Sequence, residues 1–206
     1  MSRIEPRTTG PFARVTAIAG RRTFGREMRS GAVFANHPRL LLAFARFNGA
    51  VERARHVPTP LCELAVLKAA TVVDCAFCID IGSEYARRSG LGDEQLLALH
   101  RAPESGLFDD DQLLVIAVAD GMTRTPPVID DALMERVVAR FGTRGALELT
   151  HLVAWENTRA RLNVALDIAP EGFSDGKVCA LPARAADGAG SAERAVPGRA
   201  DLASTA

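Results

Sequence analysis

The sequence predicts an all-α protein. Between Arg39 and Ile168 apolar residues recur three and four apart, and the period-two alternation of strands is scarce. Capping residues and helix stops also punctuate that stretch at intervals suited to helices of ordinary length. With 206 residues, 48% of them hydrophobic and 24% charged, the chain has enough material for one soluble domain with a sizeable core.

The first 38 residues carry Pro6, Gly10, Pro11, Gly20, Gly25, Gly31 and Pro38, which predicts an irregular arm with at most one short helix. "RLLLAFARFNGAVERA" starts the periodic region. "TPLCELAVLKAATVV" follows, with Thr59 as N-cap and Pro60 at the first helical position. Asp74 is the expected N-cap of the next helix, which runs to about Arg88 and stops at Ser89-Gly90. "DEQLLALHR" and "DDDQLLVIAVADGMT" each open on acids, as the helix dipole favours. "IDDALMERVVARFG" stops on glycine, and "TRGALELTHLVAWENTRARLNVALDI" closes the domain. The result is about seven helices, with domain bounds at 39–169 and no repeat period. From residue 170 to 206 alanine, glycine, arginine and proline dominate, which predicts a disordered tail.

Lysine plus arginine and aspartate plus glutamate are balanced at 25 each, so nothing electrostatic draws the chain to nucleic acid or an anionic membrane. No apolar run reaches transmembrane length, and the first thirty residues lack the apolar block of a secretory signal. A cytoplasmic protein is expected, and there stable structural disulfides are rare.

The four cysteines are Cys62, Cys75, Cys78 and Cys179. Cys75 and Cys78 sit three apart at a helix start, where a small adjustment closes a disulfide and where unpaired N–H groups favour a thiolate. A zinc site would want a second close pair, which the chain lacks. Two small core residues without chemistry remain the alternative to a redox pair.

"ELAVLKAATVVDCAFCIDIGSEYARRSGL" resembles the carboxymuconolactone decarboxylase superfamily, within it the AhpD-like alkylhydroperoxidase branch. That branch has a glutamate, eleven residues, Cys-x-x-Cys, then three residues and a histidine. Glu63 and Cys75 keep the first spacing; the histidine position is Gly82. The resemblance covers Arg39 to Ile168 and implies an AhpD-like helical domain. It implies a peroxiredoxin-type antioxidant oxidoreductase with Cys78 as the attacking thiol, Cys75 as the resolving thiol and Glu63 as a proton relay. The implied partners are a small hydroperoxide, an external dithiol and further copies of the chain in a homo-oligomer (dimer, trimer or hexamer). No metal, haem or flavin is implied.

Gly82 cannot relay a proton, so a substitute is needed. His151 is the first candidate, on a helix face shared with Glu148 and Trp155; Asp80, Ser83 and Tyr85 are lesser ones. Glu156 with Arg159 and Arg159 with Asn163 read as helix-surface pairs unless buried. Leu152, Trp155, Leu162 and Leu166 form a packing or oligomer stripe. Two other functions stay open: a cofactor-free lactone or carboxylic-acid decarboxylase of the same superfamily, and a non-catalytic redox-sensing helical oligomer.

Overall fold

The computed structural model describes residues 2–54 and 56–182, and these are helical without strands. The helices are α1 (Pro11–Phe24), α2 (Arg29–Phe34), α3 (Pro38–Val51), α4 (Thr59–Val73), α5 (Ala76–Arg88), α6 (Asp93–Ala98), α7 (Ala102–Ser105), α8 (Asp110–Thr123) and α9 (Asp131–Ala165). A single 3₁₀ turn, Leu99–Arg101, joins α6 to α7. Within α9 Gly142 leaves the helix at φ 70°, ψ 173°. This is a conformation glycine adopts without a Cβ penalty, so the glycine stop expected from the sequence divides α9 in two.

The centre of the fold is α4. Its hydrophobicity is nearly all-round, and Leu61, Leu64, Ala65, Leu67, Ala69 and Ala70 are all buried against α5, α8 and α9. Lys68 is buried on the same helix, and its ammonium lies 3.2 Å from Asp120 of α8. Among the described residues no helix is long and apolar enough to cross a membrane.

The N-terminal segment differs from expectation: it holds two helices rather than an irregular arm. The prolines and glycines read as breakers are helix ends. Pro11 and Pro38 occupy first-turn positions of α1 and α3, and Gly25 caps α1 in the left-handed region. Gly20 is needed for close approach, since a Cβ there would stand 2.8 Å from the carbonyl oxygen of Arg26. The chain can therefore fold back on α1 before α2 begins.

The cap assignments also shift. Helix α4 is capped by Pro58, with Thr59 already its first residue. Asp74 is not the N-cap of α5 but the left-handed C-cap of α4, at φ 60°, ψ 46°. Aspartate tolerates that region because its short polar side chain bonds locally. Cys75 itself is the N-cap of α5.

The segment from residue 170, expected to be disordered, is ordered as far as 182; residues 183–206 lie outside the described residues. Asp80 of α5 supplies the anchor. Its carboxylate accepts hydrogen bonds from the backbone N–H groups of Glu171 (3.0 Å), Phe173 (3.0 Å) and Ser174 (2.8 Å). Further along, Ala180 donates to Ser83 Oγ at 3.0 Å and Lys177 pairs with Glu84 at 2.8 Å. Composition missed this strap because its ordering comes from a carboxylate on another element, not from its own apolar content. Asp80→Ala leaves three donors without an acceptor, at roughly 1–3 kcal/mol for each one buried. The expected result is release of the strap, read as new tryptic cleavage at Lys177 and a lowered Tm.

Candidate active site

The link between α4 and α5 is two residues, Asp74 and Cys75, and it sets the geometry of the thiols. As N-cap, Cys75 turns its sulfur back over the first turn, where it accepts the Cys78 N–H at 3.2 Å. Cys78 then lies in the first turn. The two are joined as a disulfide with a Cα–Cα distance of 5.2 Å, inside the range a disulfide spans. Cys62 and Cys179 are not in a disulfide.

The two sulfurs occupy different surroundings. Cys75 is 1% exposed and lies behind the helix start, whereas Cys78, 6% exposed, lines a cavity of about 540 Å³. The cavity lies between α1–α3 on one side and α4, α5 and α9 on the other. Phe24, Phe34, Phe44 and Phe77 give it an aromatic lining. On reduction a Cys78 thiolate would face the cavity from a helix N-terminus, where N–H groups and the dipole depress a thiol pKa.

Glu63 reaches the same cavity from α4. Burial pushes its carboxyl above the ordinary glutamate value of 4.5; Arg159 opposes that rise, and Glu52 and Glu156 add to it. Tyr85, seven residues after Cys78 on α5, also lines the cavity. Burial first, then Glu52 and Glu63, push its phenol up to about 12, so it remains a neutral O–H donor at any working pH.

Gly82 also lines the cavity, where it marks the close passage of α5 over α4: a Cβ there would lie 3.2 Å from Leu67 Cδ1. A Cβ at this position requires the fully buried Leu67 side chain to give by a few tenths of an ångström. The missing histidine is thus tied to how tightly the two helices pack.

His151 does not replace it. The ring is exposed, its Nδ1 lies 2.8 Å from the Leu147 carbonyl of its own helix, and it is not in the cavity wall. The supposed partner Glu148 points elsewhere and accepts from the backbone N–H groups of His56 (2.7 Å) and Val57 (3.3 Å). Residues 148 and 151 are three apart but straddle the edge of the buried face, which periodicity alone does not resolve.

Sequence reasoning passed over the α9 wall. Glu156, Arg159 and Asn163, read as surface pairs, all line the cavity. Arg159 donates through Nε to Glu156 at 2.9 Å and through a terminal nitrogen to Asn48 Oδ1 at 3.0 Å. Glu156 is 3% exposed; burial raises its pKa and the guanidinium opposes the rise. The spacing 156, 159, 163 in register with Leu152 was the available signal, since a polar run in line with an apolar stripe marks an inward face. Arg159→Met would strand a buried carboxylate. The expected cost is about 3 kcal/mol by urea denaturation. It should shrink at low pH as Glu156 takes up a proton, because the raised pKa makes the loss a penalty on the ionised form.

The chain is 34% identical over 164 residues to the uncharacterised protein YnjA of Escherichia coli, covering 79% of this chain and 87% of that one. The fold matches the alkylhydroperoxidase AhpD core of a peroxidase-related protein from Ralstonia eutropha JMP134 at a TM-score of 0.71, with 16% identity over 86% of this chain and 97% of that one. The chain belongs to the same family as YnjA. The same fold is seen in the debrominase Bmp8, in a cysteine-to-alanine form bound to 2,3,4-tribromopyrrole, at a TM-score of 0.71 and 18% identity over 84% of this chain and 94% of that one. No family model matches the chain. At such low identities the likeness to solved structures establishes the AhpD-like helical fold, and the chemistry has to come from the cavity.

Proposed function

We propose that this protein is a thiol-dependent reductase of organic hydroperoxides, cycling Cys75 and Cys78 between dithiol and disulfide. The observation that carries this reading is the different placement of the two sulfurs: Cys78 opens on the cavity that Glu63 shares, and Cys75 does not line it. A Cys78 thiolate attacks the terminal oxygen of a hydroperoxide, forming an S–O bond and breaking the O–O bond. The alkoxide leaves and takes a proton from Glu63. The Cys75 thiol then condenses with the Cys78 sulfenic acid, releasing water and forming the disulfide, and an external dithiol restores both thiols. The aromatic lining and the volume of about 540 Å³ suit an organic body rather than hydrogen peroxide alone.

The test is hydroperoxide consumption by the reduced protein, with the thiol state read by mass spectrometry. Rapid loss of cumene hydroperoxide with a Cys75–Cys78 disulfide formed supports the reading; a rate no faster than that of a free thiol overturns it. The same cavity favours a second reading, because a halogenated aromatic ring would fit its phenylalanine lining. There the dithiol would supply two electrons to replace a carbon–halogen bond with carbon–hydrogen, releasing halide. Halide release from a brominated pyrrole, without hydroperoxide turnover, would select it.

A further inference from the structure

Asn163 of α9 has an unusual hydrogen-bonding position. The side chain is 6% exposed and stands in the cavity wall. Its Nδ2 donates to Cys78 Sγ at 3.5 Å. Its Oδ1 is buried and has no hydrogen-bond partner. A buried amide oxygen left unsatisfied is costly, and most such groups in native proteins are paired. The orphan acceptor is within one amide group of the reactive sulfur, so a ligand hydroxyl placed there would sit beside Sγ.

We propose that Asn163 is the substrate-positioning residue of this site: its Oδ1 accepts the O–H of an incoming hydroperoxide while its Nδ2 holds the Cys78 sulfur. This rests on the hydroperoxide reading above and names the feature the site recognises, a free O–O–H end. The amide ties together the two atoms that react. As the S–O bond forms and the O–O bond breaks, the oxygen carrying that hydrogen becomes the sulfenic oxygen of Cys78. The departing alkoxide takes its proton from Glu63. The hydrogen bond to Oδ1 therefore persists from substrate to sulfenic acid, and is lost only when Cys75 displaces the oxygen as water. An amide suits this role because it neither titrates nor adds charge to a wall that already holds Glu52, Glu63 and Glu156 around Arg159.

The experiment compares two reactions of Cys78 in the reduced protein: oxidation by cumene hydroperoxide and alkylation by iodoacetamide, each across pH. Alkylation needs the thiolate but no O–H acceptor, so the ratio of the two rates isolates Oδ1. Asn163→Leu keeps the shape, removes the orphan polar atom and is expected to fold at least as well as the parent. The ratio should fall about 10²-fold, the scale of one lost hydrogen bond at a reacting centre. Asn163→Asp keeps an acceptor but loses the donor to sulfur. Its alkylation profile should move to higher pH, and the ratio above the shifted thiol pKa should stay within threefold of the parent. A ratio within threefold of the parent in Asn163→Leu overturns the proposal while the hydroperoxide reading stands. A parent protein that consumes no hydroperoxide overturns both.

Discussion

Replacing Cys78 with serine is expected to abolish hydroperoxide turnover, a fall of at least about 10³-fold, as loss of an essential nucleophile produces elsewhere. Replacing Cys75 is expected to give a different defect. Cys75→Ser should still consume close to one equivalent of hydroperoxide and then stop with Cys78 as a sulfenic acid, which excess oxidant carries on to sulfinic acid. The expected asymmetry rests on placement: Cys78 meets the cavity and Cys75 does not, so the proposed reading makes Cys78 the attacking thiol and Cys75 the resolving one. Burst amplitude against steady-state rate, with intact-mass detection of the oxygen adducts, separates the two variants. Equal defects in both, or a burst in Cys78→Ser, would reverse or remove the assigned roles. Neither effect should come through folding, since the disulfide closes a ring of sequence separation 3 and restrains the unfolded chain little.

The helical core was legible because its signals are local. Thr59–Val73 is an apolar helix opened by Pro60, and "DDDQLLVIAVADGMT" carries its own cap: Asp109 accepts from the Gln112 N–H while Gln112 bonds back. Motif spacing singled out Cys75, Cys78 and Glu63, and the structure brings Glu63 and Cys78 to one cavity. What stayed hidden depends on other parts of the chain. The strap over α5 is ordered by Asp80, about ninety residues upstream, and α1 and α2 are held by the wall they build. The spacing of Asn163 placed it on an inward face, but its orphan oxygen gave no signal, because an unsatisfied amide oxygen exists only once the surrounding side chains are in place. His151 was misplaced for the converse reason: a face shared on a helical wheel does not say which edge of that face is buried.

Glu63→Gln is expected to lower turnover about 10²-fold, the lower range for a positioned acid–base group, while raising stability at neutral pH. The two effects have one cause. Burial raises the Glu63 pKa above 4.5; among the described residues Arg159 opposes the rise, and Glu52 and Glu156 add to it. A carboxyl whose folded pKa is raised contributes its full stability below the unfolded value and loses it as pH climbs through the folded value. At neutral pH the ionised form therefore strains the fold, and a neutral glutamine relieves that strain. For turnover the same shift keeps the acid form available to a leaving alkoxide at a higher pH than an exposed glutamate would. The parent rate should accordingly rise as Cys78 deprotonates and fall as Glu63 does; in Glu63→Gln the falling limb should vanish and the rising limb remain. Tyr85, held neutral with a pKa of about 12, cannot supply the falling limb in that range. A variant with lower Tm and an unchanged two-limbed profile would make Glu63 a packing residue. One with higher Tm, lower rate and a single limb would place the proton of the reaction on Glu63.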